Sequence, residues 1–143
     1  MSFLLDTCVV SEFTKVKPDS KVIDWLRGSP QDQLFISSIT LGELSRGIAL
    51  LDDGTKKSDL EKWITFDIIN RFNGKIIELD AEIMLGWGKL SGVMERLGMK
   101  MAVMDSLIAA CAIAHDLTLV TNNTDDFINS HVKIMNPWKI NTQ

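Results

Sequence analysis

Ser106-Leu107-Ile108-Ala109-Ala110-Cys111-Ala112-Ile113-Ala114, followed closely by Thr118-Leu119-Val120-Thr121, decides the fold class. At the 3.6-residue period the first run is apolar on every side, so a helix built from it must be covered all round. The second run is short, unbroken by polar alternation and β-branched, as a strand buried on both faces is. A central helix feeding a central strand belongs to a layered α/β arrangement.

The same rhythm recurs outward in both directions. Phe3-Leu4-Leu5 is a strand leading into a short helical stretch that ends near Phe13, and Ser20 to Arg27 is a helix after Pro18. Leu34 to Ser37 is a buried strand. Thr40 to Leu51 is a helix whose stripe is Leu41, Leu44, Ile48 and Leu51. Asp52 to Lys57 is a polar loop, and Leu60 to Phe72 a helix hydrophobic on most sides. Lys75 to Leu79 is a short strand, Asp80 to Leu97 a long helix closed by Gly98, and Val132 to Met135 the last strand, with a short polar helix or turn at Asp125 to Asn129 before it. No repeat or linker interrupts this order, so residues 1–143 are expected to form one α/β domain, a parallel sheet of short strands with helices on both faces.

Composition narrows the class. Lys and Arg number 15 against 19 Asp and Glu, a net charge of −4, with 45% hydrophobic residues. That balance is globular, and on charge alone it argues against nucleic acid, whose binders usually carry a basic excess. Met1-Ser2-Phe3-Leu4-Leu5-Asp6 lacks a basic segment and meets a carboxylate early, so no signal peptide, and a cytoplasmic location, are expected. No run approaches the ~20 apolar residues of a membrane helix. Cys8 and Cys111 lie far apart with no Cys-x-x-Cys or neighbouring His, and are expected to be small buried hydrophobes.

In open parallel sheets ligands bind beyond the carboxyl ends of the strands. This chain places acids there. Asp6 ends the first strand, Glu43 rides the helix after the second, Asp105 opens the central helix, and Asn122, Asn123, Asp125 and Asp126 follow the strand that ends at Thr121. Taken singly, Asp6 and Asp105 fit helix N-caps, Glu43 fits a solvated partner of Arg46 or Arg27, and Asp125 and Asp126 fit a turn. Taken together they are like charges that only a cation or raised pKa values would relieve. An all-oxygen site suits Mg2+ or Mn2+. His115 and His131 are isolated, and no Gly-x-x-x-x-Gly-Lys loop is present, which excludes a P-loop enzyme. The four Trp are expected in the core or a dimer interface. Arg46, Lys56, Lys57, Lys89, Arg96 and Lys100 are either scattered solvation or a local positive rim around the acids.

The motifs Leu4-Leu5-Asp6-Thr7-Cys8-Val9-Val10-Ser11-Glu12, Ser37-Ser38-Ile39-Thr40-Leu41-Gly42-Glu43-Leu44, Asp105-Ser106-Leu107-Ile108-Ala109-Ala110, Leu119-Val120-Thr121-Asn122-Asn123 and Met135-Asn136-Pro137-Trp138 resemble the PIN-domain family, in its VapC and FitB-like toxin branch. The resemblance spans nearly the whole chain, with the motifs in the family's order. It implies a PIN-like three-layer sandwich and a Mg2+- or Mn2+-dependent ribonuclease acting on RNA. It also implies a VapB-like antitoxin that binds operator DNA and blocks the active site, and a homodimer. Asp6, Glu43 and Asp105 match the family's metal-binding acids, and Thr7 and Thr121 the hydroxyls beside them. At the fourth position some relatives carry Asp where this chain has Asn123, and others carry Asn there with an Asp just before the Phe, here Asp126. The fourth ligand is therefore either Asp126 or a water held by Asn123. Asn122 stands where Arg is common, and Cys8 where Asn is common.

Two rivals share the layout. A haloacid-dehalogenase-type phosphatase needs a second Asp two residues after the first, and that position is Cys8. A non-catalytic PIN-like interaction module in a DNA-binding toxin–antitoxin complex would keep the acids as caps. Setting Asp6, Glu43, Asp105 and Asp126 aside brings the remaining acids level with the 15 Lys and Arg, so the negative excess can reside wholly in one acidic pit.

Overall fold

The computed structural model describes residues 1–140; the last three residues of the expected 1–143 domain lie outside the described residues. Strands β1 (Phe3–Leu5), β2 (Leu34–Ser37), β3 (Ile76–Ile77), β4 (Thr118–Val120) and β5 (Ile134–Met135) form one sheet in the order β3-β2-β1-β4-β5. Every pairing among the described residues is parallel, with Leu4 opposite both Phe35 and Leu119, and Leu5 opposite Val120. The chain builds outward from β1 to β3 and then returns to the other side of β1 with β4. Strand order therefore reverses between β1 and β4, the place where open α/β sheets form their ligand crevice.

Successive side chains of a strand point to opposite faces, and here they enter two different cores. Leu4, Ile77 and Leu119 pack with Ile83, Ile108, Ala109 and Phe127 on one face. Leu5, Ile36 and Val120 pack with Val9, Val10, Val22, Leu44 and Phe72 on the other. The first face is covered by α6 (Ala81–Arg96) and α7 (Val103–Ala114), which lie against each other. The second is covered by α1 (Thr7–Ser11), α2 (Ser20–Gly28) and α3 (Ser38–Ala49), and by Ile68 and Phe72 from the segment that follows α4 (Thr55–Lys62), a helix that buries no residue of its own. This is the three-layer arrangement expected from the sequence.

Caps set the helix starts at the sheet's carboxyl edge. Asp6 keeps extended backbone and accepts from the Thr7 N–H at 2.8 Å, and Ser37 Oγ accepts from the Thr40 N–H at 3.3 Å. Each turns a strand directly into a helix. Asp80 caps α6 in the same way. At the far end of α6, Gly98 takes φ 72, with its N–H bonded to the Glu95 carbonyl and that of Met99 to the Met94 carbonyl. This is a Schellman stop, and Gly supplies its left-handed residue without a Cβ clash.

Several boundaries differ from expectation. The expected loop through Lys57 is helical from Thr55, because α4 begins there and runs on through a π-helical stretch, Trp63–Ile68, into α5 (Ile69–Arg71). That segment is not hydrophobic on most sides: Ile68 and Phe72 are buried, but Phe66 is 61% exposed. The expected strands at Lys75 and Val132 contract to two residues each at the sheet's two edges. The short polar helix or turn expected at Asp125 to Asn129 is a helix, α8 (Thr124–Phe127), starting one residue earlier. The helix expected to be buried all round leaves Ile113 49% exposed. No helix among the described residues is long and apolar enough to cross a membrane.

Leu119 is fully buried in the strand that makes the switch point. Leu119→Ala is expected to lower the unfolding free energy by about 2–5 kcal/mol, read by urea denaturation. A loss under about 1 kcal/mol would mean that this face of β4 is not packed as described.

Candidate metal centre at the sheet switch point

Asp6 is 4% exposed and sits where β1 gives way to α1, its own N–H still bonded to the Val120 carbonyl of β4. One carboxylate oxygen takes the Thr7 N–H, and the other takes the Thr121 hydroxyl at 2.7 Å. Thr121, fully buried just past β4, also accepts the Asn123 N–H through the same hydroxyl. Asp6 is thus both the cap of α1 and a member of the acid cluster, so the two readings do not compete. Burial raises its pKa, the bonds from Thr121 and Thr7 act against that, and the charge of Glu43 raises it further.

Glu43 projects from α3 on the flank of the apolar stripe. It pairs with neither Arg46 nor Arg27; its Oε1 accepts the Thr7 hydroxyl at 2.7 Å. Thr7 Oγ1 in turn lies 3.1 Å from the hydroxyl of fully buried Thr40. Thr40 is absent from the residues singled out by sequence. The signal available was its place one turn before Glu43 on the same helix, but a Thr inside a helical stripe reads as packing.

Asp105 does not open α7 as its cap. Ala102 holds that position without a capping side chain, and Asp105 lies in the first turn, half-buried. Its pKa rises to about 6, chiefly through burial and then through the charges of Asp6, Asp126 and Glu43. Asp126 is exposed on α8 and lines a small groove of about 230 Å³ with Asp105, Asp125 and Lys100. Asn123 is exposed at the head of α8, with no side-chain cap bond. The structure thus brings Asp6, Glu43 and Asp105 to one end of the β1–β4 seam, with Asp126 on the rim.

Cys8 departs from the expected buried hydrophobe. It is half-buried in the site, its Sγ 3.8 Å from Asp6 Oδ2 and 3.7 Å from Thr121 Oγ1, and burial followed by the Asp6 charge raises its pKa. Cys111 is buried as expected.

Two larger grooves meet at Glu43. One, of about 600 Å³, runs between α3 and the start of α7, lined by Ile39, Gly42, Leu79, Met104, Leu107 and Arg46. The other, of about 770 Å³, runs between α1, α3 and α4, with Leu44, Ile48, Leu60 and Trp63 as its apolar floor and Lys15 and Lys56 beside it. Arg46, Lys56 and Lys100 thus border the acids. Lys57 is turned aside to Asp53, at 3.2 Å.

Among the described residues no three acidic, His or Cys side chains converge closely enough on one point to hold a metal ion as they stand. Their hydroxyl and N–H partners hold Asp6 and Glu43 in place, while burial and the neighbouring charges raise the pKa of Asp105. The donor chemistry still fits a hard divalent cation: the three carboxylates and the hydroxyls of Thr7, Thr40 and Thr121 are oxygen donors, Cys8 adds a sulfur beside Asp6, and no Lys or Arg forms an ion pair with Asp6, Glu43 or Asp105 among the described residues.

The sign of the pH dependence follows from Asp105. Its folded pKa lies above its ordinary 3.8, so the folded state holds the extra proton between roughly pH 4 and pH 6, and stability falls as pH rises through that window. Without metal, Asp105→Asn is expected to melt higher than the unsubstituted chain at pH 7–8, with the difference vanishing toward pH 4. Thermal melts across that range check it; a variant that melts lower at pH 8 would contradict the repulsion.

Comparison with known proteins agrees with the fold. The PIN domain family model matches residues 3–130. Toxin FitB of Neisseria gonorrhoeae is 34% identical over 94% of this chain and 97% of its own. Ribonuclease VapC2 of Rickettsia felis is 30% identical over 96% of this chain and 98% of its own. A solved structure of FitAB bound to a DNA fragment superposes with a TM-score of 0.91 at 31% identity, covering 99% of both chains.

Proposed function

The chain belongs to the PIN-domain family, on the branch that includes FitB- and VapC-type proteins, and from that premise we propose that it is a divalent-metal-dependent endoribonuclease, the toxin of a type II toxin–antitoxin pair. The observation that carries the reading is the crowding of Asp6, Glu43 and Asp105 at the sheet switch point, where Asp105 holds its proton up to about pH 6. The names of similar proteins, a toxin and a ribonuclease, support the same reading.

Asp6, Glu43 and Asp105 would hold Mg2+ or Mn2+, with Asp126 or Asn123 on the open side. When bound, the ion supplies charge neutralisation for the phosphodiester and lowers the pKa of an attacking water. Thr121 and the Thr7 N–H fix the Asp6 carboxylate, so its orientation needs no substrate to set it. Thr7 and Thr40 do the same for Glu43. Above its pKa Asp105 is ionised and available as a ligand; below it, a proton competes with the cation. Arg46, Lys56 and Lys100, which line the grooves beside the acids, would meet phosphates flanking the cut.

An antitoxin of the VapB type would occupy the apolar groove beside α4, which leads from Trp63 to Glu43 and so lets one segment bind and cover the acids together. Operator DNA would be bound through that partner. Exposed Leu79, Leu85, Val103 and Met104 offer a face for a second copy of the chain.

Purified chain free of antitoxin, incubated with tRNA and rRNA and Mn2+, is expected to cleave. EDTA, Asp6→Asn or Asp105→Asn should each lower the rate at least ~100-fold, since each removes a ligand or the ion, while circular dichroism shows the fold intact. Wild-type cleavage by Asp105→Asn would contradict the assignment. The non-catalytic module predicts no cleavage and no metal-dependent stabilisation.

A further inference from the structure

The first turn of α7 has an unusual support. Ala102 precedes it in extended conformation with no side-chain cap, so the turn that carries Asp105 is not held by the device that starts α1, α3 and α6. Three like charges press on Asp105, and an uncapped first turn is where a helix yields most easily. The compensating contacts come from Ser106, which is 2% exposed. Its hydroxyl donates to the Val103 carbonyl at 2.7 Å and accepts the indole N–H of Trp87, on α6, at 2.9 Å. The Ser106 N–H bonds to the Ala102 carbonyl at 2.9 Å. The N–H and the hydroxyl of the residue next to Asp105 are therefore both committed, the hydroxyl to a different helix as well as its own.

We propose that Trp87 and Ser106 are positioning residues for Asp105, with the α6 indole clamping the first turn of α7 so that the carboxylate stays directed at Asp6 and Glu43. This rests on the metal-dependent reading above. The indole is anchored by packing as well as by its hydrogen bond, since Trp87 lies against the core of that face. Partners of this kind commonly set metal affinity by 10- to 100-fold without touching the ion. Asp105 keeps its charge and chemistry in this account and loses only its placement when the clamp is removed.

The test measures Mn2+ half-saturation from the rise in melting temperature on titration, in the full-length chain without RNA. Trp87→Phe keeps the ring and removes the N–H; Ser106→Ala removes only the hydroxyl and is the deciding variant if Trp87→Phe does not fold. Trp138→Phe is the control, because it deletes another indole hydrogen bond, 3.2 Å to Glu12, on elements that carry none of the acids. Half-saturation is expected to rise about tenfold in Trp87→Phe and in Ser106→Ala, no further in the double variant because the two act as one unit, and not at all in Trp138→Phe. Lower melting temperatures with unchanged half-saturation would overturn the proposal, as would an equal rise in Trp138→Phe. Absence of any Mn2+ effect on the unsubstituted chain would overturn the metal reading itself, and this proposal with it.

Discussion

Carboxylates that approach one another at the edge of a low-dielectric core repel, and the fold of this protein arranges that repulsion. Parallel pairing of β1 with β4 puts the ends of both strands on the same edge, and the reversal of strand order there leaves a crevice that no crossover helix fills. Asp6 arrives from β1, Glu43 from the helix after β2, and Asp105 from the helix before β4. Each is delivered by a different βα unit, so none can withdraw without disturbing a core layer.

What makes the crowding tolerable is the supply of neutral donors. Thr121 and the Thr7 N–H take the two oxygens of Asp6; Thr7, backed by Thr40, takes Glu43. Hydrogen bonds to a carboxylate favour its charged form without adding a counter-charge. A Lys in the same place would neutralise the cluster and leave nothing for a cation to do. Asp105 has no such donor among the described residues, and burial with the neighbouring negative charges raises its pKa to about 6. The proton there holds the position that a divalent ion takes under the proposed function. Its support is indirect, through Ser106 and Trp87, which ties the reach of α7 to its packing on α6.

Much of this was legible in the chain before folding. The unbroken apolar character of Leu107–Ala112 and Leu119–Val120 marks buried central elements, because surface elements must alternate. The positions of Asp6, Glu43 and Asp105 relative to those elements then place the acids at one edge. Period and composition do not reveal pairings across the sheet. Nothing local says that Thr40 backs Thr7, that Trp87 reaches Ser106, or that Cys8 stands beside Asp6, since each depends on contacts between separate elements. The two-residue edge strands were over-read for a related reason. Val132–Met135 and Lys75–Leu79 have the composition of longer strands, but an edge strand is only as long as the ladder its single neighbour offers. The early start of α4 at Thr55 was hidden because its first turns are wholly polar and carry no stripe.

The negative net charge, which alone argues against a polyanionic substrate, is compatible with one once it is located. The acids gather at the switch point, while Arg46, Lys56 and Lys100 border the grooves that lead to it. The most direct test of the account is calorimetric titration of the antitoxin-free chain with Mn2+ in buffers of differing ionisation enthalpy, at pH 6 and at pH 8. The account predicts binding at both, with more protons released per ion at pH 6, near the raised pKa of Asp105, than at pH 8. No binding at either pH, or binding whose proton release does not change between them, would contradict it.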